Sequence, residues 1–147
     1  MMSNNAPILY VEDEEADAFF MELAFKELKV PNPLKIVADG QLAIEYLTGE
    51  GKFADRQAYP LPCLILLDLN LPRMSGHEVL EWIRSTPEFR KLPVVIFSAS
   101  SLEVDQRRAI EGGADDYIVK PNDLTLIPEL LGSVKRRWLD PRETRKY

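Results

Sequence analysis

Five short apolar runs, each stopping abruptly at polar residues, constrain this chain more than any other feature of its sequence. They lie at 7–11 (PILYV), 34–37 (LKIV), 63–67 (CLILL), 93–97 (PVVIF) and 116–119 (DYIV). Three are almost continuously apolar, which suits strands covered on both faces in a parallel sheet. The segments between them have helical spacing. Ala16, Phe19, Phe20, Leu23, Ala24 and Leu28 recur at steps of three and four and predict one buried stripe. Further helices are expected over about 41–47, over 77–84 through Val79, Leu80 and Ile83, and over 103–111, where Gly112-Gly113 ends the pattern. A fifth starts near Asp123 and carries Leu124, Ile127, Leu130, Leu131 and Val134, with Pro128 tolerated only in its first turn.

Strand and helix thus alternate along the chain, which predicts an α/β doubly wound domain with right-handed crossovers. Such sheets bind ligands beyond the carboxyl ends of their strands, near the switch point in strand order. The residues just after each strand are therefore the ones to inspect. The long stretch 48–62 (TGEGKFADRQAYPLP) reads as a solvated surface loop, although connections of that length are often functional or mobile.

The first run leads straight into Glu12 and Asp13, the third into Asp68, the fourth into Ser98 and the fifth into Lys120. One rim of the sheet therefore gathers carboxylates, a hydroxyl and an ammonium. Crowded carboxylates repel one another unless a cation sits among them. Magnesium suits such a place because it is hard, takes oxygen ligands and bridges carboxylate to phosphate. Phosphoryl transfer needs a cation, oriented donors and an in-line nucleophile, and an aspartate can serve as the acceptor. Each residue alone has a plainer reading. Glu12 to Asp17 could be the acidic first turn of a helix, Asp68 a turn residue, Ser98 a cap and Lys120 a solvated charge. Their joint arrival at strand ends is what argues for a site.

Composition narrows the alternatives. A chain of 147 residues, 46% hydrophobic and 29% charged, has the size and balance of one globular domain. Its net charge of −6 lacks the basic footprint of a general nucleic-acid binder. Cys63 is the single cysteine, so neither an internal disulfide nor a zinc cluster is expected. No signal-peptide pattern opens the chain, and no apolar run approaches the roughly 20 residues of a membrane span. A soluble cytoplasmic protein is expected.

The segments PILYVED, LILLDLNLPRMSG, VVIFSAS and DDYIVKP resemble those of bacterial two-component response-regulator receiver domains, in the same order. Asp13 to Asp68 is 55 positions, Asp68 to Ser98 is 30 and Ser98 to Lys120 is 22. The first interval is long for that family because of the 48–62 loop. The resemblance implies a flavodoxin-like five-stranded parallel sheet in the order 2-1-3-4-5. A receiver would span 7–138, between a flexible tail at 1–6 and a C-terminal tail at 139–147. By position it implies that Asp68 accepts a phosphoryl group. Asp13, Asp68 and the backbone carbonyl of Asn70 would ligate Mg2+, with Glu12 helping through water. Ser98 and Lys120 would bind phosphoryl oxygens, and Tyr117 would report phosphorylation through its rotamer. The Lys120–Pro121 peptide would be cis. Two departures are modest: Ser98 stands where threonine is commoner, and Glu12 where aspartate is.

The long loop, DLNLP and the ending RRWLD are similar to stand-alone receivers paired with bacterial phytochrome kinases. A sensor histidine kinase of that kind is then the expected phosphodonor, with output through an unidentified downstream protein. A homodimer through the face of the fourth and fifth helices is also expected. Two other readings compete. A magnesium-dependent phosphohydrolase usually has a second aspartate where Asn70 stands, so only slow self-dephosphorylation is expected, tuned by Asn70 and Ser100. A phosphorylation-independent scaffold would not need the full set of Asp13, Asp68, Ser98 and Lys120. His77, the only histidine, reads as a surface residue rather than a phosphoryl relay, and Cys63 as a small core residue. Trp82 reads as packing, and Trp138 as cover for the last helix or for a partner subunit. The six basic residues from Lys135 onward read as helix-end charges and a solvated tail, not a nucleic-acid site.

Overall fold

The computed structural model describes residues 5–139. Its elements alternate in the order β1 (Ile8–Val11), α1 (Glu15–Glu27), β2 (Leu34–Val37), α2 (Gly40–Thr48), β3 (Leu64–Leu67), α3 (Gly76–Ser85), β4 (Val94–Ser98), α4 (Glu103–Glu111), β5 (Asp116–Val119) and α5 (Ile127–Val134). Short 3-10 turns cover Gly51–Phe53 and Leu124–Leu126, and a π-helical turn, Lys135–Leu139, extends α5. The five strands form one parallel sheet in the order β2-β1-β3-β4-β5. All five apolar runs are strands. The three central ones, β1, β3 and β4, are buried along their whole length, as continuous apolar runs require.

Successive strand residues point to opposite faces and seed two cores. Leu9, Val11, Ile65, Leu67, Val94 and Ile96 pack against α2, α3 and Ala109 of α4. Ile8, Tyr10, Leu64, Leu66, Val95 and Phe97 pack against α1 and α5. Helix α3 starts with a full capping box, in which Ser75 and Glu78 exchange side-chain and backbone hydrogen bonds. Helix α4 ends where Gly113 adopts φ 104°, a left-handed conformation open to glycine.

The buried face of α1 differs from the expected stripe. Met21, Ala24 and Phe25 are buried, whereas Phe19 is 58% exposed and Leu23 39%. Two apolar stripes overlap on this helix, and packing against the sheet and α5 selects one of them. The loop at 48–62 is mostly exposed, as expected of a surface loop, but an aromatic side chain pins it to the core. Phe53 is 3% exposed, with ring centroids 5.1 Å from both Tyr46 and Tyr59. Arg56 donates to the carbonyls of Tyr46 (2.7 Å), Leu47 (2.6 Å) and Tyr59 (3.1 Å), closing the exposed end of α2.

Trp82 stacks on Phe89 as a packing residue. Trp138 covers the α1–α5 core within its own chain, with Arg137 over its ring. Cys63 is half-buried just ahead of β3, near the Ala6 carbonyl. Ala6 itself is buried and accepts from Asn32 at 2.8 Å, so the chain is anchored before the end of the expected N-terminal tail. Residues 1–4 and Arg142, Arg145 and Lys146 of the expected basic tail lie outside the described residues.

Replacing Phe53 by alanine leaves a cavity inside this aromatic cluster and is expected to cost about 3–5 kcal/mol of unfolding free energy. Urea titration followed by circular dichroism measures this; a change within about 0.5 kcal/mol, the range of an ordinary surface substitution, would contradict the packing.

Candidate functional site

Strand register builds the site. Val11 pairs with Val37 and Leu67, so Glu12 and Asp68 leave β1 and β3 at the same level. The Asp68 N–H still donates to the Val11 carbonyl at 3.2 Å, which holds the two strand ends together. Ser98 pairs with Val119, and Lys120 follows, its N–H donating to the Ser98 carbonyl at 2.8 Å. Behind Asp68, the first turn of α3 comes so close that only glycine fits. A Cβ on Gly76 would lie 2.2 Å from the Asp68 carbonyl oxygen. The Gly76 N–H donates to Leu69 at 2.9 Å and fixes that approach. Farther along the same loop, Arg73 pairs with Asp39, the N-cap of α2.

Of the predicted residues, Glu12, Asp13 and Asp68 come together, with one oxygen of each within 4.8 Å of the others. Glu12 and Asp68 are buried and Asp13 is exposed. The Asn70 N–H donates to Asp68 Oδ1 at 3.2 Å, and the Glu14 N–H to Glu12 Oε2 at 3.1 Å. Burial pushes the Glu12 carboxyl up to about 7, against the hydrogen bond and charge of Lys120. The oxygens of Glu12, Asp13 and Asp68 are clustered hard donors, which fit a divalent cation.

Lys120 is buried, with its side chain 6% exposed, and its ammonium lies 2.5 Å from Glu12 Oε1, 2.6 Å from Asp17 Oδ2 and 3.1 Å from Asp68 Oδ2. Burial alone would lower its pKa, but the hydrogen bonds to Asp17 and Glu12 and the charge of Asp68 outweigh that and raise it. All described peptide bonds are trans, including Lys120–Pro121, so the expected cis bond is absent. Trans is the favoured isomer even before proline.

Ser98 is fully buried, and its hydroxyl accepts from the Ser100 N–H at 3.3 Å. Tyr117 donates its hydroxyl to the Ser100 carbonyl at 2.7 Å, so the aromatic is tied to the loop that follows Ser98. Two residues were missed at the sequence level. Asp17 looks like a first-turn acid, yet it lies one helical turn after Asp13 and meets Lys120. Tyr10 looks like strand filling, yet its buried hydroxyl donates to Glu12 at 3.0 Å.

His77 is not a surface residue. Its side chain is 10% exposed in the cleft between α3 and α4, with Nε2 buried without a hydrogen-bond partner and 3.7 Å from Asp105. Burial, helped by the charge of Arg108 and opposed by Asp105, holds it below the ordinary histidine value. Glu81, Arg84 and Glu111 line the same groove.

A parallel sheet of this strand order binds its ligands at the carboxyl rim of the strands, where this chain has an acidic, lysine-bridged pocket. The chain belongs to the response regulator receiver domain family, which it matches over residues 8–131. It is 33% identical over 133 residues to response regulator Rcp1 of Synechocystis, covering 90% of this chain and 88% of that one. It is also 33% identical over 132 residues to the probable methanogenesis regulatory protein FilR2 of Methanothrix harundinacea, covering 90% and 83%. Among solved structures, the phosphorylated cyanobacterial phytochrome response regulator RcpA superposes with TM-score 0.85 at 35% identity, over 92% of this chain and 95% of that one. Rcp1 has been solved in a manganese-bound form, which superposes with TM-score 0.83. No helix among the described residues is long and apolar enough to cross a membrane.

The depressed pKa of His77 has a pH consequence. Between the folded value and about 6.5 the unfolded chain binds more protons, so stability falls as pH drops through that window. Between about pH 8 and pH 5, the wild type is therefore expected to lose more unfolding free energy than His77→Gln, and parallel urea-derived curves would contradict the assignment.

Proposed function

We propose that this chain is a stand-alone response regulator that takes a phosphoryl group on Asp68 from a sensor histidine kinase of the phytochrome class. The observation that carries the reading is the Asp68 carboxylate itself. It is buried at a rim, clustered with Glu12 and Asp13, and the Lys120 ammonium that pairs with Glu12 lies 3.1 Å from it. An Asp68 oxygen forms a bond to phosphorus as the P–N bond of phosphohistidine breaks. The departing imidazole nitrogen keeps the electron pair. Lys120 and the Ser98 hydroxyl meet the oxygens on which charge accumulates.

Glu12, Asp13, Asp68 and the carbonyl of Asn70 would hold Mg2+, which offsets the charge of the incoming phosphoryl group. The manganese-bound form of Rcp1 supports a divalent ion here by likeness. Asn70 offers no carboxylic proton to an attacking water, so the acyl phosphate is lost only slowly and the domain stores the group rather than turning it over. With acetyl phosphate and Mg2+, the wild type is expected to gain the mass of one phosphoryl group and Asp68→Asn to gain none. A labelled Asp68→Asn chain would contradict the assignment.

Phosphorylation would act on the surface through Ser98, Ser100 and Tyr117. Pulling the Ser98 loop inward breaks the Tyr117–Ser100 bond and shifts an existing equilibrium between two surfaces. Moving such an equilibrium from about 1:99 to 99:1 takes about 5.5 kcal/mol, within reach of a dianion meeting a metal and a lysine. The responding face is α4, β5 and α5. Leu102, Val104, Ile110, Val119 and Leu126 are exposed there, and their burial against a second copy would make the homodimer. Beryllofluoride with Mg2+ is expected to raise the dimer fraction in size-exclusion chromatography with light scattering. An unchanged mass would remove dimerisation as the output.

A further inference from the structure

A lysine ammonium carries three protons, and three carboxylates lie at donor distance from Lys120. Glu12 and Asp17 are close, at 2.5 and 2.6 Å, and Asp68 is farther, at 3.1 Å. Glu12 and Asp68 already have roles in the phosphoacceptor reading. Asp17 has none: it lies in the first turn of α1 and outside the oxygen cluster of Glu12, Asp13 and Asp68. Its side chain is only 14% exposed, which a solvated helix-start acid would not need.

We propose that Asp17 is a positioning residue for phosphoryl transfer, holding the Lys120 ammonium so that its remaining N–H is presented to the group on Asp68. The inference rests on the phosphoacceptor reading above. A lysine side chain is long and loses much rotamer freedom when its head is fixed. Two short bonds, to Asp17 from α1 and Glu12 from β1, fix that head before the reaction starts. The third and longest bond, to Asp68, is the one free to pass to a phosphoryl oxygen when the acyl phosphate forms. Donors held in place beforehand need no reorganisation at the moment of transfer. A purely helical role, an acid favouring the positive end of α1, would also conserve stability but would be independent of Lys120.

The test uses the full chain with acetyl phosphate and Mg2+ as phosphodonor, beryllofluoride as the phosphoryl mimic, and calorimetric titration of Mg2+ alone. Asp17→Ala is expected to slow phosphorylation about tenfold and to weaken beryllofluoride binding by a similar factor. Mg2+ affinity should stay within about twofold, since Asp17 lies outside the metal cluster. Asp17→Asn, which keeps the shape and a hydrogen-bond acceptor, should fall between wild type and Asp17→Ala, and it serves if the alanine variant fails to fold. In a Lys120→Ala background, the Asp17 substitution should weaken beryllofluoride binding no further.

Wild-type values in both Asp17 variants would overturn the inference, as would losses that multiply with those of Lys120→Ala. An equal loss of Mg2+ affinity would also overturn it, by making Asp17 a metal residue. A wild-type chain inert to both acetyl phosphate and beryllofluoride would overturn the phosphoacceptor reading itself, and is told apart by needing no variant.

Discussion

The buried ammonium of Lys120 ties together the elements that make the site. Through Glu12, Asp17 and Asp68 it links the ends of β1, β3 and β5 with the first turn of α1. A charge removed from water in this way is tolerable only when it is paired and hydrogen-bonded. Removing one partner of a buried ionic group typically costs about 3–5 kcal/mol, an appreciable part of the roughly 5–15 kcal/mol that holds a domain folded. The functional rim therefore also braces the fold. Three carboxylates share that one lysine, and burial pushes the Glu12 carboxyl up to about 7.

The opposite quality, weak anchoring, is found one step away. Helix α4 contributes only Ala109 to the core, and three of its neighbouring apolar side chains, Leu102, Val104 and Ile110, face outward. What holds its leading loop is a short chain of polar contacts, from Tyr117 to the Ser100 carbonyl and from the Ser100 hydroxyl to Asp105 at 2.6 Å. Elements with few buried apolar contacts open at low free-energy cost. A rigid carboxylate rim beside a loosely held helix is a suitable arrangement for converting a local charge change into a change of surface.

Much of this was legible in the sequence, for an identifiable reason. Strands buried on both faces must be apolar along their length, so β1, β3 and β4 stand out without any structure. In a doubly wound sheet the chemistry follows strand ends, which led from those runs to Glu12, Asp13, Asp68, Ser98 and Lys120. Asp17 was hidden because an acid in a first helical turn already has a sufficient explanation in the helix dipole. Phe53 was hidden by its polar, glycine-bearing surroundings. The single histidine was read as a surface residue because Asp68 already filled the acceptor role, and the side that buries it belongs to α4.

Sequence alone determined the order of elements, the sheet class and the residue types delivered to the rim, because these depend on local periodicity and on where apolar runs stop. Tertiary structure decided which stripe of α1 is buried, that the 48–62 loop packs its aromatic residues, and that the Lys120–Pro121 bond is trans. It also decided that Lys120 reaches Asp17 as well as Glu12 and Asp68. Those outcomes depend on distances between segments far apart in the chain, where several partners of the same chemical type compete. Only the packed register of the sheet says which of them arrives within a hydrogen bond.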